Sequence, residues 1–183
     1  MRAARGWAGA PMVSIVGLAG LCLLGCATAG GGPGDAHQVG SPAPEITVQA
    51  MSGKSIAVSS YRGKVVLLDV WASWCAPCKE ELPMLDDMAA RLRHRGIEVL
   101  AVSIDQEREN VVKFMRARGR WSLTVAHDRA GEIADRLRPD KMPTSYIIDR
   151  AGIIRYVNSG FVPADAEAIE RHLVEVAEGG GAR

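Results

Sequence analysis

The stretch that decides the fold reads Trp71-Ala72-Ser73-Trp74-Cys75-Ala76-Pro77-Cys78-Lys79, with two cysteines three positions apart. The preceding run, residues 65–71, is almost continuously apolar, which is typical of a strand buried on both faces. A helical pattern follows, with Pro77 in its first turn, where a missing N–H group costs nothing. The sequence thus predicts Cys75 at a helix N-terminus, where the helix dipole and free N–H groups favour a thiolate. Such a dithiol can exchange with the disulfide of another protein.

Length, charge and histidine placement limit the partners and cofactors of the chain. It has 183 residues, enough for one ordinary domain, and a formal net charge of +1. Because this balance provides no strongly basic surface, we expect no nucleic-acid partner. His94, His127 and His172 are scattered, and no second cysteine pair accompanies Cys75 and Cys78. We therefore expect no metal and no other cofactor.

The first 25 residues resemble a secretory signal peptide. Arg2 and Arg5 precede a mostly apolar segment at residues 7–24. That segment ends in Leu23-Leu24-Gly25-Cys26, which resembles a bacterial lipobox, where the chain is cleaved before the cysteine and the cysteine is acylated. The sequence thus predicts a signal peptide at 1–25 and a lipid anchor on Cys26. An uncleaved transmembrane helix and plain secretion are the alternatives.

The rest of the chain divides into a tether, a domain and a tail. Residues 26–40 are rich in glycine and predict a flexible tether behind the acylated Cys26. Residues 41–177 are predicted to fold, and residues 178–183 are predicted to form a disordered tail. Cys22 leaves with the signal, so Cys75 and Cys78 are the only free cysteines of the mature domain. A C-x-x-C loop this short stabilises little as a structural disulfide, so the pair points to chemistry.

The pattern of the domain predicts an α/β fold. Alternating residues at 45–49 and 55–58 flank a turn and predict an N-terminal β-hairpin. Strands and helices then alternate, at strands 65–71, 97–104 and 122–126 and helices 80–95, 107–118 and 130–138. A second hairpin (144–149 and 153–157) and a helix (164–177) follow. We therefore expect a central mixed β-sheet flanked by helices, with the N-terminal hairpin added to it.

These features resemble the thioredoxin fold, and in particular its TlpA/ResA-like branch. The likeness rests on residues 71–79, on Met142-Pro143-Thr144 before a later strand, on residues 63–68 and on Glu81-Leu82-Pro83, and it covers about residues 40–176. It implies a membrane-tethered thiol–disulfide oxidoreductase of the bacterial cell envelope that faces the periplasm or extracytoplasmic side and acts as a reductant. The motif at Cys26 predicts that the tether is a lipid anchor. It also implies disulfide-containing envelope substrates, such as apocytochrome c, and a membrane dithiol protein as electron donor.

Exchange chemistry and the resemblance assign roles within the motif. Cys75 is predicted to attack the target disulfide, and Cys78 to resolve the mixed disulfide and close the redox pair. Cys78 has to lose its proton, and a nearby carboxylate of raised pKa could accept it. Asp69 matches the buried strand acid of thioredoxins, and Glu81 matches the active-site glutamate of ResA-like members. The sequence leaves open which of the two accepts the proton.

The resemblance also places a substrate-contacting surface around the cysteines. Pro143 is expected to form a cis peptide bond and to lie against the cysteine pair. Met142 and Thr144 beside it, and an exposed Trp74, are expected to contact the substrate.

Several other functions compete with this interpretation. A zinc or copper site would need further ligands or a wider cysteine spacing. A peroxidase-type relative would centre on one peroxidatic cysteine. An oxidase or isomerase would use the same exchange with a different electron flow, and a binding module would dock without turnover. The Ala76-Pro77 dipeptide does not fix the direction of the electrons.

Overall fold

The computed structural model describes residues 39–180, within which seven strands and four helices form the framework. The strands are β1 (Thr47–Ala50), β2 (Ser55–Ala57), β3 (Val65–Trp71), β4 (Ile97–Ser103), β5 (Thr124–His127), β6 (Thr144–Ile148) and β7 (Ile154–Ser159). The helices are α1 (Ala76–Leu92), α2 (Arg108–Arg118), α3 (Glu132–Leu137) and α4 (Asp165–Ala177). Short 3-10 helices at Val58–Tyr61 and Arg93–Arg95 supplement them.

The seven described strands form one mixed sheet in the order β2-β1-β5-β4-β3-β6-β7. Strand β4 pairs in parallel with β3 on one side and with β5 on the other. The remaining pairs are antiparallel, so the N-terminal hairpin extends one edge and the β6–β7 hairpin extends the other. Parallel neighbours need crossover connections, and helices supply them. The predicted α/β class with a mixed sheet and an added N-terminal hairpin is confirmed.

Strand β3 is buried along its whole length and separates two apolar clusters. Its odd-numbered apolar residues belong to the cluster that contains α1, α2 and α4, and its even-numbered ones to the cluster that contains α3. Side chains of a strand alternate between the two faces. Asp69, an odd-numbered residue, therefore projects toward the layer that contains α1. The acid inside the strand is thus placed beneath the helix that follows the cysteines.

Helix α1 begins where Cys75 and Pro77 predict its N-terminus, before the apolar pattern of residues 80–95, and it ends before that pattern does. It spans Ala76–Leu92, with Cys75 as its N-cap and Pro77 within its first two positions. The range 80–95 followed apolar periodicity, which starts only after the first turn. A 3-10 turn then leads to Gly96, whose φ of 74° lets the chain reverse into β4. The other elements agree with the prediction to within two residues at each end.

Several predicted segments lie outside the described residues. These are the signal peptide at 1–25, Cys26, the tether up to residue 38, and residues 181–183 of the tail. The backbone N–H groups of residues 178–180 donate hydrogen bonds to carbonyls of α4, so this first part of the predicted tail closes the helix. Between residues 39 and 180, none of the helices combines the length and the apolar character needed to cross a membrane.

Candidate active site

The two cysteines lie where β3 ends and α1 begins. They form a disulfide, with their Cα atoms 5.3 Å apart. The backbone N–H of Cys78 donates a hydrogen bond to the sulfur of Cys75 at 3.3 Å. Cys78 is fully buried, whereas Cys75 is 5% exposed. Cys75 is therefore the one of the pair that a partner can reach, which supports the predicted order of attack.

Trp74 provides an apolar surface beside Cys75. Its side chain is 65% exposed, which is unusual for a large aromatic residue. Trp71, by contrast, is fully buried and packs its ring against Phe114, with the centroids 5.0 Å apart. On the α2 side of the same loop, a groove of about 350 Å³ is lined by Ser73, Lys79, Asn110, Lys113 and Phe114. An exposed aromatic residue next to a groove offers contacts to a partner chain.

A buried carboxylate that the sequence analysis missed anchors the loop before the cysteines. Asp105 accepts hydrogen bonds from the backbone N–H of Ser73 at 2.9 Å and from its hydroxyl at 2.6 Å. The hydroxyl of Ser103 donates to the same carboxylate at 2.6 Å. Trp71 pairs with Ser103 in the parallel register of β3 and β4, so the residues after both strands meet at one edge. Only knowledge that β4 adjoins β3 could have revealed this contact.

Two buried carboxyls, on β3 and α1, share one hydroxyl group. The Oγ of Ser145 lies 3.2 Å from Oδ1 of Asp69 and 3.0 Å from Oε1 of Glu81. Ser145 and Asp69 are direct cross-strand partners on β6 and β3, and Glu81 lies three residues after Cys78 on α1. Oδ2 of Asp69 and Oε2 of Glu81 have no hydrogen-bond partner among the described residues. Both candidate proton acceptors are therefore brought together.

The surroundings raise the pKa of both acids. Burial raises the pKa of Asp69 well above its usual range, the charge of Glu81 raises it further, and the hydrogen bond from Ser145 opposes the shift. Burial raises the pKa of Glu81 to about 7, opposed by the Ser145 hydrogen bond and assisted by the charge of Asp165. Like charges in a dry site disfavour double ionisation, so the pair retains a proton at neutral pH. Such a pair can take up and release a proton near neutrality.

The loop before β6 carries the expected cis peptide bond, between Met142 and Pro143. Val70 pairs with Thr144, so Pro143 lies opposite the end of β3, at the edge where the cysteines follow. Met142 is half-buried and packs against both apolar clusters. Thr144 is buried, and its hydroxyl donates to the carbonyl of Lys141 at 2.6 Å. The predicted substrate contact of Thr144 therefore cannot come from a free hydroxyl.

Two of the described histidines, His127 and His172, contact different partners in separate places. Nε2 of His127 lies 2.7 Å from the carbonyl oxygen of Asp105, and the ring of His172 stacks on Tyr156 with centroids 3.9 Å apart. Across residues 39–180, no three His, Cys, Asp or Glu side chains converge in a way that could hold a metal ion. The reactive groups that the described structure brings together are sulfur atoms and carboxyls.

Known proteins are similar to this chain in sequence. A model of the AhpC/TSA family matches residues 39–157. The chain is also 32% identical, over 140 residues, to the thiol-disulfide oxidoreductase ResA of Geobacillus kaustophilus (strain HTA426), covering 75% of this chain and 78% of that protein. The chain belongs to the AhpC/TSA family. Membership agrees with the resemblance inferred from residues 71–79.

Solved structures of similar proteins support the same assignment. A protein from Chlorobium tepidum, described as a thiol:disulfide interchange protein DsbE, is 35% identical with a TM-score of 0.72, covering 76% of this chain and 98% of that one. The exposed lipoprotein thioredoxin Etrx1 of Streptococcus pneumoniae strain TIGR4 is 28% identical with a TM-score of 0.61, covering 72% and 99%. The thioredoxin-like fold is confirmed. This AhpC/TSA family member is a thiol–disulfide oxidoreductase, with Cys75 and Cys78 as its C-x-x-C pair.

Proposed function

We propose that this chain is a membrane-tethered reductase for disulfides of cell-envelope proteins, for example in cytochrome c maturation. The observation that carries the proposal is the asymmetric cysteine pair. Cys75 reaches the surface beside Trp74, whereas Cys78 is enclosed and lies one helical turn from Glu81. The resemblance of the motif to the TlpA/ResA-like branch supports envelope proteins as substrates. It also supports a membrane dithiol protein as the electron donor.

The tether is proposed from the amino-terminal sequence. The lipobox-like ending at Leu23-Leu24-Gly25-Cys26 supports acylation of Cys26. The pneumococcal relative is itself named an exposed lipoprotein, so it provides a precedent for a lipid-anchored protein of this fold. Lipid chains on Cys26 and a glycine-rich tether would hold the domain at the outer face of a membrane.

The reaction begins with the thiolate of Cys75. It attacks one sulfur of the substrate disulfide, so a bond forms between Cys75 and that sulfur while the substrate S–S bond breaks. The second substrate sulfur leaves as a thiolate and takes a proton from water. The N-terminus of α1 and the N–H of Cys78 stabilise the charge on Cys75 before the attack. We propose that Trp74, Met142 and the backbone beside Pro143 position the substrate chain.

Resolution of the mixed disulfide requires a base. Cys78 transfers its thiol proton to the buried pair formed by Asp69 and Glu81, and its sulfur then attacks Cys75. The Cys75–Cys78 bond forms, and the substrate sulfur leaves Cys75 as a thiolate. Two electrons have passed from the dithiol to the substrate, and the donor dithiol later reduces the closed pair. A buried base is needed because Cys78 is fully enclosed, away from bulk water.

Insulin reduction coupled to a thiol donor tests the activity. The wild-type chain should reduce insulin, and Cys75→Ser should abolish the reaction because no attacking sulfur remains. If the wild-type protein does not reduce insulin, the chain is a binding module and not an enzyme. The direction is tested by titrating the Cys75–Cys78 pair against glutathione. A reductase should show a potential below about −200 mV, whereas a value near −120 mV, roughly that of a strong oxidant, would contradict reduction as the function.

The anchor is tested by mass spectrometry of the mature protein. The proposal predicts an N-terminus at an acylated Cys26, and release of Cys26→Ala from the membrane fraction. An intact Met1 would instead favour an uncleaved transmembrane segment.

A further inference from the structure

The hydroxyl of Ser145 contacts two acids but has a single hydrogen. It can therefore donate to only one of the two oxygens, Oδ1 of Asp69 or Oε1 of Glu81, at any moment. An ionised carboxylate can only accept, so the second contact becomes a hydrogen bond only when that acid is protonated and donates to Ser145. Filling both contacts thus requires one proton on the acids in addition to the hydroxyl hydrogen.

The negative charges of Asp69 and Glu81 have to be balanced by a proton, because no positively charged side chain of the described residues is among the groups that act on them. Asp69, Glu81 and Ser145 are 0%, 1% and 1% exposed. The charged groups that act on the two acids are other acids: Glu81 acts on Asp69, and Asp165 at the start of α4 acts on Glu81. Within the described chain, the groups that shift the two acids include no lysine, arginine or histidine. An unneutralised pair of buried negative charges would be costly.

We propose that Ser145 joins Asp69 and Glu81 into one proton-holding unit and acts as a positioning residue for the resolution step. This inference rests on the proposed function, because the task of the unit is to hold the proton of Cys78. A unit with one proton carries one negative charge. When Cys78 gives up its proton, its sulfur becomes a thiolate and the unit becomes neutral, so the total charge of the site is conserved.

The same unit completes the redox cycle. When the donor dithiol attacks the Cys75–Cys78 bond, the sulfur of Cys78 leaves as a thiolate. It then recovers a proton from the unit, which returns to its single negative charge. The fully enclosed sulfur therefore exchanges its proton inside the protein. The hydroxyl of Ser145 can reverse its donation from one acid to the other as the proton moves.

The unit is tested first without any turnover. Side-chain carboxyl carbons of Asp69 and Glu81 are followed by carbon-13 NMR across pH 4–10 in the oxidised protein. Each resonance of the wild-type protein should report both ionisation steps of the pair. In Ser145→Ala the first step should move to higher pH, because the hydrogen bond that favours the ionised form is lost. Ser145→Thr keeps a hydroxyl and should retain the wild-type curve.

A matched control removes another buried serine hydroxyl that donates to a carboxylate. Ser103→Ala deletes the donor to Asp105 and should leave the titration of Asp69 and Glu81 unchanged. If Ser145→Ala also leaves that titration unchanged, the shared unit is contradicted.

The second readout is the rate of resolution. An aromatic disulfide reagent releases one coloured thiol when Cys75 attacks and a second when Cys78 resolves. In Ser145→Ala the first phase should be unchanged, and the second should slow about fivefold at pH 7, as expected when a pKa near 7 rises by about one unit. Unchanged phases would overturn the role of Ser145. If the wild-type protein shows no exchange while the NMR shift is present, the proposed function fails and the proton-holding unit stands.

Discussion

Helix α1 carries two buried acids, Glu81 and Asp86, in opposite surroundings. Oδ1 of Asp86 accepts hydrogen bonds from the backbone N–H groups of Ser122 at 2.6 Å and Leu123 at 3.0 Å. Nε of Arg118 lies 3.5 Å from its other oxygen. Oε2 of Glu81 has no hydrogen-bond partner in the described structure, and its neighbours include two further acids.

The difference separates a structural acid from an acid that we propose to hold a proton. Asp86 accepts hydrogen bonds from the N–H groups of Ser122 and Leu123, so it ties the segment just before β5 to α1. Glu81 satisfies no backbone group among the described residues, and its burial raises its pKa toward neutrality. Burial alone therefore does not distinguish a structural acid from an acid that transfers protons. The identity of its neighbours decides which role it has.

The largest contrast is expected in catalysis. Replacing both Asp69→Asn and Glu81→Gln should lower insulin reduction at least about 100-fold, since a positioned base typically contributes that much. Asp86→Asn should stay within about threefold of the wild-type rate, because Asp86 lies outside the proton path. If both proteins lose the same share of activity, the loss comes from disturbed folding around a buried acid and not from a missing base.

The free energy of unfolding should be affected in the opposite order, more by the loss of Asp86 than by the loss of Glu81. Asp86→Ala leaves the N–H groups of Ser122 and Leu123 without an acceptor and should lower the free energy of unfolding by about 3 kcal/mol. Glu81→Gln should not lower it at pH 8. Urea unfolding of the oxidised proteins measures both values. An Asp86→Ala protein as stable as the wild type would contradict the structural role.

The pH dependence of stability sharpens the comparison further. The pKa of Glu81 is about 7 in the folded protein, against its usual pKa of 4.5 in the unfolded chain. The folded state thus binds more protons than the unfolded state in this window, so stability falls as pH rises. Between pH 5 and 8 we expect a loss of about 2 kcal/mol in the wild type. The loss should shrink in Glu81→Gln and persist in Asp86→Asn; a wild-type protein whose stability is flat across this window would argue against a raised pKa.

Replacing Asp105 is expected to have the smallest effect. In its surroundings, Asp105 is intermediate between Asp86 and Glu81. It is buried and well hydrogen-bonded like Asp86, but its partner Ser73 belongs to the active-site loop. Asp105→Ala should slow the attack by Cys75 about three- to tenfold, roughly the effect of losing one or two net hydrogen bonds. The pH profile of resolution should not move. A shift of that profile would place Asp105 in the proton path instead.

The parts of the site that were predictable from the sequence are local. The cysteine spacing, Pro77 in the first turn and the apolar run before them define a strand, a cap and a helix without knowledge of the rest of the chain. Asp69 stood out because an acid inside an apolar strand is costly. Pro77 and the cysteine spacing predict the first turn of α1, although the apolar periodicity begins only after it.

The contacts that complete the site depend on strand register. Ser145 is 76 positions from Asp69 and 64 from Glu81, and in the sequence it is an ordinary strand residue. It meets the acids because β6 pairs with β3 so that Ser145 stands opposite Asp69. A slip of one residue would turn its side chain to the other face of the sheet. Periodicity predicts that the strands exist, but it does not specify this register.

The central claim is that the proton of Cys78 passes to Asp69 and Glu81. The most direct measurement is the rate of the second coloured-thiol phase, the closure of Cys75–Cys78, between pH 5 and 9. In the wild type the rate should rise through an inflection near pH 7, where Glu81 loses its proton. In the protein with Asp69→Asn and Glu81→Gln the inflection should move above about pH 8.5, the range of an unassisted thiol. The same inflection in both proteins would contradict the account.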